Sequence, residues 1–105
     1  MKLEVNDNYY YLSDLNNSNQ FELLSTIENY KNSPINLIIK LNIELINNTS
    51  LILSLVKYSS FWKKSDKSFI LVVEDYVFKN KNLVSVPTLD EAIDYLFMEE
   101  LERNV

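Results

Sequence analysis

The chain contains no cysteine, no histidine and no glycine among its 105 residues. Without cysteine there are no disulfides and no thiolate nucleophiles, and without histidine the other usual zinc ligand is gone as well. Imidazole is also the commonest general base near neutral pH, so catalysis would fall to carboxylates, Lys or Tyr. The expectation is a protein that is not an enzyme and holds neither metal nor other cofactor.

The missing glycine excludes more. Average usage would supply roughly seven, and phosphate-binding loops, dinucleotide fingerprints and nucleophile elbows all depend on them. Turns that need a positive φ must use the next most tolerant residue, asparagine. It occurs where turns are expected, at residues 6–8, 16–19, 47–48 and 80–82.

Long apolar runs are absent too. Nothing approaches the ~20 residues that span a bilayer, and "MKLEVNDNYYY" lacks the apolar core of a signal peptide. A cytoplasmic, membrane-free protein is expected. The net charge of −5 argues against a nucleic-acid partner held through phosphates. Charge is unevenly placed: residues 57–81 hold six lysines against three acids, and residues 82–105 hold six acids against Arg103. The acidic part reads as a solvated helix face.

Hydrophobic residues make up 47% and charged residues 24%, the balance of one ordinary globular domain spanning 1–105. "KLEV" and "YYYLS" read as a hairpin about the turn at 6–8. Two of its three tyrosine rings share a face, suited to core packing or a dimer edge. "NQFELLSTIENYK" reads as a helix capped by Asn19, with Glu22 completing a capping box.

Residues 35–41 alternate as a strand, and the alternation runs on through Ile43 and Leu45. "TSLILSLVKYSSFW" has helical length and spacing, with Ile52, Leu55, Val56 and Ser59 on one face. "SFILVV", 68–73, is a strand covered on both sides. A short strand at 83–86 precedes the clearest helix, "PTLDEAIDYLFMEELER", capped by Thr88 with Glu91 closing a capping box. Its expected inner stripe is Leu89, Ala92, Ile93, Leu96, Phe97 and Leu101. The result is an α/β domain with a mixed sheet of about four to five strands and three helices.

Two places single themselves out. In "INNTSL", Asn48 or Thr49 suits the N-cap of the following helix. In "FWKK", Trp62 either packs inward while the lysines meet solvent, or forms a partner-binding corner, since Trp is enriched at interface hot spots.

The order of elements, with a Thr/Ser pair opening the helix after an apolar strand, resembles the STAS domain. That is the fold of bacterial anti-sigma-factor antagonists and of the cytoplasmic tails of sulfate transporters. The family's signature is Asp-Leu-Ser at a strand end, then Asp-Ser-Ser-Gly at the helix start. Lys40, Leu41 and Asn42 lie on the first part, and Asn48, Thr49, Ser50 and Leu51 on the second. The tail "VPTLDEAIDYL" is similar to the family's closing strand and helix.

The longer tail, to Arg103, is similar to a small bacterial STAS-like group often labelled as ribonuclease Z, a metal chemistry that a chain without histidine does not support. Three departures stand out: Asn48 replaces Asp, Leu51 replaces Gly, and only nine residues separate "SFILVV" from "LVSV", too few for the family's helix.

The resemblance implies a regulatory, protein-binding domain whose partner is an anti-sigma factor or kinase-like regulator. It also implies that Thr49, or Ser50 beside it, is a phosphoacceptor at the partner surface. A phosphate there would be held by free N–H groups and the helix dipole. The alternatives are a constitutive homodimer or scaffold with a degenerate phosphorylation site, and a small carboxylate- or tyrosine-based enzyme.

Overall fold

A computed structural model describes residues 1–74 and 82–104. Strands β1 (Lys2–Val5), β2 (Tyr10–Ser13), β3 (Leu37–Lys40), β4 (Phe69–Val72) and β5 (Val84–Val86) form one sheet in that spatial order. β1 runs antiparallel to β2, and the remaining pairs are parallel. The expected strands 35–41 and 68–73 are neighbours away from the sheet edges, with Leu37 opposite Phe69.

Helices α1 (Gln20–Tyr30), α2 (Ile43–Ile46), α3 (Thr49–Lys64) and α4 (Leu89–Arg103) cover the sheet. Successive parallel strands step across it in one direction, so crossovers of one hand put their helices on one face. There α1, α2 and α3 pack through Leu23, Ile27, Leu45, Leu55 and Trp62 against Leu12, Leu37, Ile39, Phe69 and Leu71. α4 covers the other face, setting Ala92 and Leu96 against Tyr11, Ile38, Ile70 and Val72. Burial on both sides is why β3 and β4 read as continuous apolar runs. Among the described residues no helix is long and apolar enough to cross a membrane.

Among the described residues four α-helices stand where three were expected. The extra one is α2, where period-2 alternation suggested a longer strand. Asn42 ends the strand by capping: its Oδ1 accepts the Leu45 N–H at 2.9 Å and its Nδ2 donates to the Leu15 carbonyl at 3.0 Å. Residues 43–46 then turn to bury Leu45 and Ile46.

Asn19 holds the N-cap position of α1 as expected, but its side chain makes no capping bond there. Asn16 accepts the Ser18 N–H and forms a reciprocal box with Asn19 around the short 3-10 turn Asn17–Asn19. Asn19 Nδ2 instead reaches Glu22 at 3.2 Å. Thr88 caps α4 as expected, accepting the Glu91 N–H at 3.2 Å.

Asparagine does not fill the left-handed turns of the described residues either. Among the described residues the positive-φ positions are Asp14, at 54°, and Asp66, at 57°. Asp and Asn share the short side chain that tolerates this region. The asparagines at 16, 42 and 48 are spent on capping. The expected turn at 80–82 falls largely outside the described residues.

The inner stripe of α4 is narrower than its sequence suggests. Leu96 and Ala92 are buried and Leu89 and Ile93 half-buried, but Phe97 and Leu101 point to solvent. At 3.6 residues per turn, Phe97 lies roughly 100° and Leu101 roughly 140° around the helix from Leu96.

Candidate functional site

The strand-to-helix corner after β3 sits at the carboxyl end of the parallel strands, the edge where α/β folds usually place their sites. It is built from asparagine. Asn48 takes an extended backbone and accepts the Leu51 N–H on Oδ1 at 3.0 Å, capping α3. Its Nδ2 donates to Gln20 Oε1 at 2.8 Å, joining the start of α3 to the start of α1.

The cap is therefore Asn48, and Thr49 is the first residue of the helix itself. Extended backbone at residue 48, with helical bonding beginning after it, leaves Thr49 no capping geometry. Thr49 and Ser50 are both exposed, and their hydroxyls have no hydrogen-bond partner among the described residues. The Ser50 carbonyl accepts the Ser54 hydroxyl at 3.2 Å inside the helix.

Leu51 and Ile46 are buried beneath this turn and hold it to the core. The backbone N–H groups of the first helical turn have no intrahelical acceptor, and Asn48 takes the one on Leu51. Two adjacent hydroxyls thus stand beside positive helix-end dipole in solvent. Across the same edge, Lys40 Nζ lies 3.8 Å from Glu74 Oε1. Both groups are well exposed, so the pair contributes little.

Trp62 does not belong to this or any surface. It is completely buried, its indole N–H donates to the Ile35 carbonyl at 2.7 Å, and its ring meets Tyr58, Phe61 and Phe69 edge-on at 5.6–6.2 Å. The partner-contact expectation for Trp62 is corrected to a core role. The neighbouring Lys63 and Lys64 are free to meet solvent because the ring faces the sheet.

The opposite edge of the sheet carries a cleft of about 760 Å³ between the ends of α3 and α4. Lys63, Lys67 and Arg103 line it together with Asp66, Glu99 and Glu102, so its charges balance. Arg103 Nη1 donates to the buried Ser68 hydroxyl at 3.1 Å. Tyr95 on the cleft wall has its phenol pKa raised, by burial first and then by Glu99 and Glu102.

Sequence reasoning passed over Asn36 entirely. It is buried, accepts the Ser68 N–H at 2.9 Å and donates to the Asn8 carbonyl at 2.9 Å, tying the β1–β2 turn to the starts of β3 and β4. Its signal was present: a lone amide between Ile35 and Leu37 in an otherwise apolar run. Among the described residues no group of three or more potential ligands could hold a metal ion.

Comparison with models of known protein families gives no match, and comparison with curated proteins gives no related sequence.

Proposed function

We propose that this chain is a non-enzymatic, STAS-like interaction domain of the cytoplasm that contacts a protein partner through the start of α3. The observation that carries the reading is the exposed Thr49–Ser50 pair, on the first turn of α3, in the connection between the inner strands β3 and β4. By resemblance to the anti-sigma-factor antagonists, that turn is the partner surface and Thr49 its phosphoacceptor, with an anti-sigma factor or kinase-like regulator as partner.

The physics favours the position. A phosphate on Thr49 would meet unpaired N–H groups and the positive end of the helix dipole, so the fold would tolerate it. The same two negative charges would stand inside the contact surface and weaken association with an acidic partner.

A second reading has its own support. Asn48 is occupied on both ends of its amide, by Leu51 and Gln20. A corner fastened in this way suits a constitutive scaffold or dimer whose switch has been lost.

Capture from lysate of the native cells separates the two. Wild type, Thr49→Ala and Thr49→Asp are used as bait, with melting temperatures measured in parallel. The switch reading expects a kinase-like partner on wild type and Thr49→Ala, lost on Thr49→Asp, with all three folded. Equal recovery on all three supports the constitutive scaffold and ends the switch. Recovery of no partner on any bait ends the interaction-domain reading.

A further inference from the structure

Among the described residues nothing packs on the outer face of α4. Phe97, Met98 and Leu101 are each 63% exposed, and they lie side by side, because residues three and four apart share a helix face. Apolar side chains scattered singly over a surface need no explanation; three together on one helix face do.

Acids interleave them. Asp90, Glu91, Asp94 and Glu102 are exposed and project from the same side of the helix, which extends roughly 18 Å from Asp90 to Glu102. None of the four is in an ion pair among the described residues. The helix holds one cation, Arg103, and it is turned the other way, with its guanidinium on the Ser68 hydroxyl. Asp90 and Glu91 have a local reason to be there, the positive end of the helix. Asp94 and Glu102 do not. The face is acidic toward its N-terminal half, apolar toward its C-terminal half with Glu102 at its end, and carries no positive charge among the described residues.

We propose that this face docks a basic amphipathic helix of a partner protein, its apolar stripe on Phe97, Met98 and Leu101 and its Lys or Arg residues against Asp90, Asp94 and Glu102. Helix-on-helix docking reads such anchors at i, i+3 and i+4 spacing, and charge complementarity sets its register and speeds encounter. Other occupants fit worse. A second copy of the chain would bring the same four acids against these. An anionic lipid surface would be repelled by them. The chain's own lysines at 57, 63 and 64 lie on α3, across the sheet from α4. A contact from them would be head-to-tail, building rings or open filaments rather than a two-fold dimer. The proposal concerns a different face from the Thr49 corner and does not depend on that reading.

The test uses the full chain and a labelled synthetic peptide of about 14 residues, with leucines on one helical face and lysines on the other. A comparator peptide carries glutamates in place of the lysines. Binding is followed by fluorescence anisotropy at several salt concentrations. The lysine peptide is expected to bind at least tenfold more tightly than the glutamate peptide, and to weaken as salt rises.

The pair Phe97→Ser and Leu101→Ser should lose at least tenfold. Because both residues are exposed, their melting temperature should stay close to wild type. Asp90→Asn with Asp94→Asn should flatten the salt dependence. The control pair Phe21→Ser and Leu53→Ser, exposed residues of α1 and α3, should bind as wild type does.

Equal loss in the control pair, or equal binding of the two peptides, overturns the proposal. So does a wild-type dimer in sedimentation that Phe97→Ser with Leu101→Ser makes monomeric, since the occupant is then a second copy. Binding to vesicles of anionic phospholipid that is lost in the same pair overturns it in favour of a membrane.

Discussion

The Asn48 side-chain amide donates to Gln20 Oε1 at 2.8 Å while its oxygen caps α3. One side chain thus fixes both the start of a helix and its position beside α1. Replacing it with Ala should cost about 1 kcal/mol for the lost cap, with a smaller addition for the lost bond to Gln20. Thr49→Ala, which removes neither, should stay within about 0.5 kcal/mol of wild type. Urea unfolding of the two variants checks the order, and a larger loss at Thr49 would move the cap there.

Trp62 should behave as a core residue. Trp62→Ala removes the largest fully buried side chain and leaves the Ile35 carbonyl without its donor. A cost of about 3–5 kcal/mol is expected from the cavity. It is also the chain's one tryptophan, so its fluorescence should be blue-shifted when folded and shift red on unfolding. An emission maximum typical of exposed indole in the folded protein would contradict its burial.

Asn36 carries a different kind of penalty. Asn36→Leu keeps the volume but strands two backbone groups, the Ser68 N–H and the Asn8 carbonyl. Each unsatisfied group that stays buried costs about 1–3 kcal/mol. Asn36→Leu should therefore be strongly destabilising even though its neighbours in β3 are apolar. Denaturant midpoints that match wild type would show that water replaces the amide.

Stability should fall at alkaline pH. The Tyr58 phenol pKa is pushed up to about 12 by burial, then by its hydrogen bond to Glu28 and that carboxylate's charge. In the unfolded chain the phenol titrates near 10. Between these values the unfolded state loses the proton while the folded state keeps it, so stability drops as pH rises.

Below pH 10 the contribution is fully present. Tyr58→Phe should shallow the decline between pH 10 and 12. It should not remove it, because burial also raises the phenols of Tyr11, Tyr30 and Tyr95. Melting temperatures measured across that range in both proteins test it.

Where an element's pattern is long and its signals are local, the sequence determined the structure. Thr88 caps the start of α4 because its hydroxyl reaches the N–H three residues on, although among the described residues the Glu91 side chain does not return the bond to close the expected box. The runs at 35–41 and 68–73 had to be inner strands, since apolar side chains on both faces need cover on both faces. The exposure of Thr49 and Ser50 followed as well, because a helix start in the connection that leaves an inner strand lies beyond the edge of the sheet, and the intervening α2 does not change that.

The tertiary structure decided whatever depended on a partner distant in sequence. Asn42 starts α2 because the Leu15 carbonyl, 27 residues away, holds its amide. A period-2 pattern of four residues cannot outweigh that. Trp62 turns inward because the Ile35 carbonyl offers its N–H an acceptor beside Phe69. Nothing in "FWKK" contains that acceptor. The acidic face of α4 was legible in the sequence, but Phe97 and Leu101 joined it only once Leu96 was placed on the sheet, since a helical repeat fixes angles between residues but not which angle faces the core.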